Sequence, residues 1–556
     1  MHTDMEKWTR GLLLRFVLQI YTEGKDAERE GVRLLNEDND FILGALIRAT
    51  HRLYTTAEGE ERSKLLDALL LFFDWTKEAP CGTWGKMSIL ETLCRMKDAD
   101  ALHLLSAEIL ACLREKTDIG DFYDKKEHRL IGKAANYLHV AATCAARRVR
   151  LGWEEYEVAY SIAEQLIATI DGAGSNGYLD DQPNEGRYDS YTFMVTRELP
   201  MQCEEVGLPV PGYALENLKS VAHAMLQMAN AHGDGFVYGR SLSVYGDMTP
   251  VGILSTAMRY GLLSEDECEL AYAYILAIFN KLRCFWYDEK RDMFNIWLDG
   301  RATDGYREIY RLLEVNLGIG EGMLSAIDAL KDLGLWGRAP RTVIPSPNVW
   351  RAHAFHFLDT KERQAAAIIL RYGDTLCMLP LIGSGALSYF PAYLPFPAVA
   401  GVLEAAPQSD TPYLVPEYEK DGKVFRPIQY YTDIAVFEED GKVRVKARGY
   451  MVHPSRWPDR PQKTDVPFYA EYLFEKENIS ARFETPCAFD RVRMQTACAF
   501  IPADFEVFGF EETHTLPLGE KSTMAPHGAY TALCEHRSAA KHAVGWSIRL
   551  PEQKII

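Results

Sequence analysis

Two loops of this sequence concentrate side chains that could do chemistry. Residues 177–191 read GYLDDQPNEGRYDSY, and residues 238–247 read YGRSLSVYGD. Arginine forks pair with carboxylates, aromatic faces stack on sugar rings, and carboxylates bond hydroxyl groups or transfer protons. Two loops of the same composition, each opening onto a helix, predict one cleft that takes a polyhydroxylated, acidic ligand.

The first loop supplies four candidate residues. We interpret Asp189 and Tyr191 as catalytic candidates, and Arg187 and Tyr188 as ligand-binding candidates. The structural alternative is a helix start, at which Asp189 would cap the free amide groups. Capping accounts for Asp189 but leaves the arginine and the tyrosines beside it unexplained, so the composition favours a functional loop.

The second loop supplies five more candidates. Arg240 is suited to a bidentate clamp on a carboxylate, with Tyr238 and Ser241 as further ligand contacts. Tyr245 and Asp247 are candidates for catalysis. The alternative is a well-packed turn in which Asp247 caps a helix predicted to begin near residue 250. The sequence leaves both interpretations open.

Three further polar candidates lie inside apolar helical patterns. Asn136 and His139 are three residues apart, so they share one helix face and could bind a ligand inside a helical barrel. A buried polar pair is the alternative. A carboxylate such as Glu314 on an apolar helix would have a raised pKa, which suits a general acid. An ion pair of Glu314 with Arg311 or Arg307 is the alternative there.

An aromatic residue and a histidine complete the candidate set. Trp84 stands beside Lys86 at a predicted helix start, where an indole could form a platform for a sugar ring. His353 and His356 are three residues apart, but neither a carboxylate nor a cysteine nearby completes a zinc ligand set. A substrate-facing His353 is therefore favoured over a metal site, and we expect no metal.

Length and composition bound the kind of protein. The chain has 556 residues, 47% hydrophobic and 25% charged, so a large core and two domains are the starting expectation. The formal net charge of −18 argues against nucleic acid, because phosphate backbones need a basic face. A local pocket for an anionic sugar remains compatible with that acidity.

Compartment and cofactor follow from what the sequence lacks. The 11 cysteines are scattered without a C-x-x-C pair, which favours a reducing compartment. The first 21 residues read as an amphipathic helix, not a signal peptide, and no apolar run is long enough to predict a membrane span. We therefore expect a cytoplasmic protein without a membrane partner. No phosphate-binding loop or serine-nucleophile motif occurs, so no nucleotide cofactor is expected either.

The order of elements predicts a mainly α chain with a C-terminal β domain. Residues 1–375 show ten or more amphipathic helices without a fixed repeat, which favours an (α/α)6-type toroid over a repeat array. Residues 376–410 are rich in proline and glycine and are predicted to be a linker and cleft wall. Residues 411–556 carry strand signals, including a hairpin around Asp440-Gly441, and predict an antiparallel sheet or sandwich.

The chain resembles the heparinase II/III-like polysaccharide lyases and is similar to glycoside hydrolase family 154, whose reported activity is β-glucuronidase. The features that carry the resemblance are Asn136-Tyr137, Asp180-Asp181 leading to Gly186–Tyr191, Tyr238–Ser241 and the segment Leu379–Pro397. The resemblance implies an enzyme that acts on a uronic-acid-containing glycan or glycoside. Whether the chain forms a homo-oligomer stays open.

The leading hypothesis under this resemblance is hydrolysis of a terminal β-linked glucuronic acid. Arg187 and Arg240 would hold the sugar carboxylate, and two of Asp189, Asp247 and Glu314 would serve as the acid and as the base or nucleophile.

Two alternatives remain. In a lyase that works by β-elimination, Asn136 or an arginine would neutralise the uronate, His139 or His353 would take the C5 proton, and Tyr191 or Tyr245 would protonate the leaving oxygen. A non-catalytic glycan-binding scaffold is disfavoured, because the arginine, tyrosine and aspartate side chains are concentrated in loops.

Overall fold

The computed structural model describes fourteen stretches of the chain. They are residues 2–36, 39–171, 176–180, 188–239, 241–299, 308–382, 396–402, 414–454, 462–498, 505–517, 524–525, 528–529, 532–539 and 541–550. Helices occupy the N-terminal part and antiparallel sheets the C-terminal part, which confirms the predicted fold class. Among these residues, no helix is both long and apolar enough to cross a bilayer.

Twelve α-helices lie in the described N-terminal part. They are α1 His2–Glu23, α2 Ile42–Thr56, α3 Gly59–Trp75, α4 Thr83–Asp98, α5 Ala107–Lys116, α6 Tyr137–Leu151, α7 Tyr156–Asp171, α8 Ser190–Glu205, α9 Gly212–Met228, α10 Val244–Arg259, α11 Glu265–Lys281 and α12 Leu312–Asp332. Short 3₁₀ turns occur at Gly24–Asp26, Leu102–Leu104 and Ile309–Arg311, and a π-helical turn at Leu282–Trp286.

The even-numbered helices form a closed inner ring. Each of them contacts the next, and α12 contacts α2 to complete the circle. The inner helix α2 is buried on more than one face. The outer helix α3 buries one face only, and its buried residues follow each other at alternating intervals of three and one: Leu65, Ala68, Leu69, Phe72 and Phe73. This arrangement is an (α/α)6 toroid.

The inner helices run parallel to one another. Gly44 on α2 meets Gly85 on α4, and four residues further along Arg48 pairs with Glu91, so both helices advance in the same direction. The same holds for α10 and α12, where Tyr245 and Met248 lie against Gly318 and Gly322. All six inner helices therefore begin at one end of the toroid, which we call the N-terminal end of the ring.

Connection lengths differ between the two ends. The connections that enter the inner helices are residues 24–41, 76–82, 117–136, 172–189, 229–243 and 282–311. Those that leave them are residues 57–58, 99–106, 152–155, 206–211 and 260–264. Three entering connections carry two-stranded ribbons: β1 Glu28–Arg29 with β2 Val32–Arg33, β3 Tyr123–Asp124 with β4 Arg129–Leu130, and β5 Tyr287–Asp288 with β6 Met293–Phe294.

Two antiparallel sheets form the C-terminal part. The larger contains β7 Arg351–Asp359, β8 Gln364–Tyr372, β9 Thr375–Leu381, β10 Ala398–Val399, β13 Tyr431–Glu439, β14 Lys442–His453, β15 Gln462–Glu475, β16 Asn478–Glu484, β18 Phe505–Phe508 and β23 Ala543–Arg549. The smaller contains β11 Glu417–Lys420, β12 Lys423–Phe425, β17 Arg491–Cys498, β19 Glu512–Pro517 and β22 Ala532–Ala539. A separate ribbon pairs β20 Met524–Ala525 with β21 Gly528–Ala529.

The strand order of the large sheet is β10-β9-β8-β13-β14-β15-β16-β23-β18, with β7 paired to β8. Its core is shared with the small sheet, since Val445 and Trp546 belong to one apolar cluster with Tyr418 and Met494. The predicted hairpin at Asp440-Gly441 is confirmed: both residues have positive φ, 52° and 75°, as a two-residue turn of this type requires.

The boundary between the two parts differs from the predicted one. The last helix ends at Asp332 and β7 begins at Arg351, so residues 351–381 are strands, although the sequence analysis placed them in the helical domain and the linker. The reason is burial on both faces. On β8, Ala367 and Ile369 pack against the helices, while Ile368 and Leu370 enter the sandwich core. A strand buried on both sides shows no alternation and cannot be distinguished from a helix by period.

Candidate functional site

The candidate site lies at the N-terminal end of the ring. Most residues singled out in the sequence stand at the start of an inner helix: Trp84 on α4, Asn136 and His139 on α6, Asp189 and Tyr191 on α8, Tyr245 and Asp247 on α10, and Glu314 on α12. Residues far apart in sequence meet here because the inner helices are parallel. The free amide groups of a helix start also make this end favourable for anions.

Glu314 is held by two donors from different elements. Its Oε2 accepts a hydrogen bond from Asn39 Nδ2 at 3.0 Å, and Arg311 Nη1 lies at 3.4 Å. The predicted ion pair with Arg311 is therefore present. The Glu314 side chain is 16% exposed, so it is not sealed off from solvent.

Next to α4, aromatic rings and a cation line the same end. The Trp84 indole lies 5.2 Å from the ring of His139 and 6.2 Å from that of Tyr137, centroid to centroid. Lys133 Nζ stands 5.3 Å from the Tyr137 ring. Trp84 and Tyr137 are half-buried, which leaves aromatic surface available for a sugar ring.

Asn136 and His139 lie beneath these rings. Both are buried, and the Nδ1 of His139 bonds the main-chain carbonyl of Asn136. Gln202 on α8 donates to the carbonyl of His139 at 3.1 Å. In this structure the two residues form the buried polar pair that was the alternative to direct ligand contact.

Asp189 caps α8 and touches the second loop. Its Oδ1 accepts the amide of Tyr191 at 2.9 Å, and its side chain is fully buried. A Cβ built on Gly239 would come within 2.7 Å of the Asp189 Cβ, and Gly239 has a φ of +90°. Only glycine fits at this contact, so the two loops identified in the sequence are packed directly together.

A hydroxyl pair joins the same two loops. Tyr191 Oη and Ser241 Oγ are 3.0 Å apart. Ser241 and Ser243 have φ of 55° and 57°, a left-handed conformation that a serine adopts only when its surroundings impose it. The loop is thus held in a strained shape that presents its hydroxyl to α8.

Asp247 is committed to a buried network. It accepts hydrogen bonds from the amide of Gly235 at 2.8 Å, from Lys281 Nζ at 3.0 Å and from Trp286 Nε1 at 2.7 Å. Lys281 also pairs with Asp234 at 2.8 Å. Burial raises the pKa of Asp247, and Lys281 opposes that shift. The described contacts make Asp247 an anchor for the loop before it.

Helix α10 begins earlier than predicted, at Val244, so Asp247 lies inside its first turn instead of capping it. Pro250 is within the helix and lacks the amide hydrogen that would bond the carbonyl of Gly246. That carbonyl accepts the amide of Phe236 at 2.9 Å. The proline thus frees an acceptor that ties the second loop to its own helix.

Tyr245 is half-buried and faces α12. A Cβ on Gly318 would lie 3.6 Å from its hydroxyl, and Gly318 is one turn beyond Glu314 on that helix. Tyr191 is also half-buried, and so both candidate tyrosines keep part of their surface exposed to solvent.

Tyr188 and Tyr238, which were predicted to contact a ligand, have buried rings. Tyr188 stacks on Phe357 of β7 at 4.8 Å, and Tyr238 packs on Phe236 at 4.5 Å. Burial raises the pKa of both phenols. Both tyrosine rings therefore pack inside the protein, where they support the two loops.

His353 belongs to β7 and not to a helix. Burial lowers its pKa, and the histidines that act on it are His223 of the outer helix α9 and His356. It therefore lies beside the outer helix α9, and its role in ligand binding stays a prediction.

Arg187 and Arg240 lie outside the described residues, as does Arg307. Their proposed role as clamps for a sugar carboxylate stays a prediction. Among the described residues, Arg311 is the cation placed beside Glu314.

Sequence reasoning missed Asn39, Asp40 and Lys133. The run N-E-D-N-D at residues 36–40 looks like a solvated acidic loop, and its signal was its place directly before an apolar helix. The structure shows that this helix is an inner one, and that Asn39 reaches Glu314 on the neighbouring inner helix α12.

No protein-family model and no curated protein matches the chain. Among solved structures, it is similar to a chondroitin AC lyase from Streptomyces coelicolor A3 in complex with chondroitin sulphate, with 10% identity and a TM-score of 0.48 over 99% of this chain and 82% of that one. A possible member of the GH105 family from Klebsiella pneumoniae matches with 12% identity and a TM-score of 0.41, over 60% of this chain and 94% of that one.

A heparinase III matches with 10% identity and a TM-score of 0.23, over 99% of this chain and 84% of that one. These likenesses are distant and do not assign any chemistry to this chain.

Proposed function

We propose that this chain is a carbohydrate-active enzyme, similar to glycoside hydrolase family 154, that hydrolyses a terminal β-linked glucuronic acid or related uronic acid from a glycan or glycoside. The observation that carries the proposal is Glu314: a reachable carboxylate, held by Asn39 and Arg311, at the point where the six inner helices begin.

An acidic sugar suits the electrostatics of this end. Each helix start carries roughly half a positive charge, and the ring brings six of them together. Arg311 and Lys133 add full positive charges near the same point. A uronate carboxylate would be attracted here although the whole chain carries a formal charge of −18.

The aromatic residues suit the sugar ring. Trp84 and Tyr137 present half-buried faces at the N-terminal end of the ring, and the hydroxyl of the half-buried Tyr191 could bond a sugar hydroxyl. Apolar faces with a few convergent polar groups are typical of carbohydrate pockets.

The three candidate carboxylates differ in what they can do. Asp189 is buried as a helix cap and Asp247 is buried among Lys281, Trp286 and Gly235, whereas Glu314 keeps contact with the cleft. Proton transfer or nucleophilic attack requires a group within hydrogen-bond reach of the substrate. We therefore assign the direct chemical role to Glu314 and a positioning role to the two aspartates.

The proposal is tested by incubating the purified protein with a uronide whose sugar ring has no 4,5 double bond, such as phenyl β-glucuronide, and with a uronic-acid glycan. Release of phenol and free uronic acid from the aryl uronide is expected, and no 4,5-unsaturated sugar should form from the glycan. Glu314→Gln should lower kcat by about 10²–10⁴-fold, the usual range for a proton-transfer group. Glu28→Gln, an exposed charge on the ribbon before α2, is the matched control and should leave kcat unchanged.

A lyase is the second candidate, favoured by the two half-buried tyrosines Tyr191 and Tyr245, either of which could protonate a leaving oxygen. Elimination creates a 4,5-unsaturated sugar that absorbs in the ultraviolet. Growth of that absorbance, with no hydrolysis of the aryl uronide, would replace the hydrolase assignment by the lyase one.

A further inference from the structure

The segment Asn39-Asp40-Phe41 crosses from the start of α2 to both neighbouring inner helices. On one side, Asn39 bonds Glu314 of α12 at 3.0 Å, and Arg311 stands 5.7 Å from the ring of Phe41. On the other side, the carbonyl of Asp40 accepts the amide of Gly82, just before α4, at 2.8 Å. The backbone of Asp40 is therefore fixed between two inner helices.

The carboxyl group of Asp40 lies against Gly82. A Cβ built on Gly82 would come within 2.1 Å of the Asp40 Oδ2, so only glycine leaves room for the carboxyl group in this position. Gly82 has an ordinary φ of −78°, which means that its lack of a side chain, and not an unusual backbone, is what the position needs. The rest of Asp40 is exposed to solvent.

We propose that Asp40 is the proton donor that works opposite Glu314 on the glycosidic bond. The inference rests on the proposed hydrolase function and adds the second carboxylate that such a reaction needs. Asp40 gives its proton to the glycosidic oxygen as the C1–O bond breaks, and the bonding electron pair stays on that oxygen. Glu314 takes a proton from the water whose oxygen bonds to C1, so each turnover consumes one water and releases one alcohol.

The surroundings of Asp40 suit an acid. Burial against α4 raises its pKa, Lys133 and Arg311 lower it, and the charge of Glu314 adds a smaller rise. Asp40 also lies close enough to the thiol of Cys81 to interact with it. A carboxyl group with a raised pKa keeps its proton at a higher pH, which suits the group that must donate a proton to the glycosidic oxygen.

The test compares two substrates that differ in their need for an acid. Phenyl β-glucuronide has a poor leaving group, while 2,4-dinitrophenyl β-glucuronide leaves without protonation. Asp40→Asn should lower kcat about 10²–10⁴-fold on the phenyl substrate and less than about tenfold on the dinitrophenyl substrate. Its pH profile should also lose the decline on the alkaline side. Glu314→Gln should be slow on both.

A second variant moves the carboxyl group without removing it. Gly82→Ala places a methyl group where the Asp40 carboxyl lies, so it should slow the phenyl substrate more than the dinitrophenyl substrate, as Asp40→Asn does. Glu127→Gln, an exposed side chain at the tip of the β3–β4 ribbon, controls for the loss of one negative charge and should match the wild type on both. Thermal unfolding of each variant shows that it is folded.

The outcomes separate the two claims. If the wild type hydrolyses neither substrate, the proposed function is overturned and this inference with it. If the wild type is active but Asp40→Asn slows both substrates equally or neither, or if Gly82→Ala keeps the wild-type ratio of the two rates, hydrolysis stands and Asp40 is not the donor.

Discussion

At the scale of single residues, the buried lysine Lys281 decides how the second loop is held. Its Nζ bridges Asp234 and Asp247, and all three side chains are at most 5% exposed. Removing one partner of a buried ion pair leaves the other charge buried without a counter-charge. The resulting loss of folding free energy is much larger than the change caused by replacing the whole pair with apolar residues.

We expect Lys281→Met to destabilise the fold by about 3–5 kcal/mol, because two buried carboxylates would lose their shared cation. The measurement is urea unfolding at neutral pH. Lys290→Met, on an exposed turn, is the control and should stay within about 0.5 kcal/mol of the wild type. A loss as small as the control's would show that Asp234 and Asp247 are not both charged.

His51 makes stability depend on pH. Burial, helped by Arg95 and Arg52, lowers the pKa of His51 to about 4, against an ordinary value of 6.5. Between these two values the unfolded chain binds a proton that the folded chain does not. The contribution of His51 to stability is therefore complete above pH 6.5 and is lost as the pH falls towards 4.

From this shift we expect wild type to lose up to about 3 kcal/mol more than His51→Gln between pH 7 and pH 4. Denaturant titrations of both proteins at several pH values measure the difference. Parallel pH profiles for the two proteins would mean that the imidazole is not buried in its neutral form.

The role of Asp247 also marks a limit of prediction at this scale. Its loop composition was readable from the sequence, but its partner Lys281 lies 34 residues away on another helix. Nothing local signals that pairing, and so a carboxylate that holds a loop looks the same in sequence as one that does chemistry.

At the scale of elements, the two predicted loops are joined by the hydrogen bond between Tyr191 and Ser241. The bond connects the start of α8 to the loop before α10, and both loops lie beside the cleft. We expect a double-mutant cycle with Tyr191→Phe and Ser241→Ala to give a coupling of about 0.5–1.5 kcal/mol.

The control for that cycle pairs Tyr191→Phe with Ser255→Ala, whose hydroxyl bonds the carbonyl of Val251 within α10. The effects of those two substitutions on the free energy of unfolding should add to within about 0.5 kcal/mol. The coupling free energy of each cycle is obtained from free energies of unfolding measured by urea titration. If the Tyr191–Ser241 cycle were as additive as the control cycle, the contact between the loops would be contradicted.

Sequence patterns predicted elements unevenly, and for physical reasons. The loops at residues 177–191 and 238–247 were identified because polar and aromatic residues interrupt apolar helical spacing there. Asp40 was missed because acidic residues directly before a helix are also typical of a solvent-exposed helix cap. Strands β8 and β9 were taken for helix and linker because both of their faces are buried, which removes the alternation on which strand prediction depends.

At the scale of the whole molecule, the helical and β parts share strands. Phe357 of β7 is fully buried and packs on Tyr188, Phe193 and Phe355, so the first strands of the large sheet complete the core of the toroid. The same strands present their other face to the sandwich.

We expect Phe357→Ala to cost about 3–5 kcal/mol, and to lower the stability of both parts together. Differential scanning calorimetry should show one unfolding transition that moves as a unit. Phe437→Ala, an exposed phenylalanine on β13, should cause little change. A transition that splits, with one component at the wild-type temperature, would show that the two parts fold separately.

The unequal connections at the two ends of the ring have a consequence for how this protein can change. Except for residues 76–82, every connection that enters an inner helix is longer than every connection that leads from an inner helix to an outer one. Substitutions, insertions and new ribbons at the long-loop end alter what the cleft accepts, while the ring that orients the helix starts stays as it is. Substrate preference can therefore evolve through the entering loops while the helical ring is unchanged. Directed evolution of this protein is best confined to those loops.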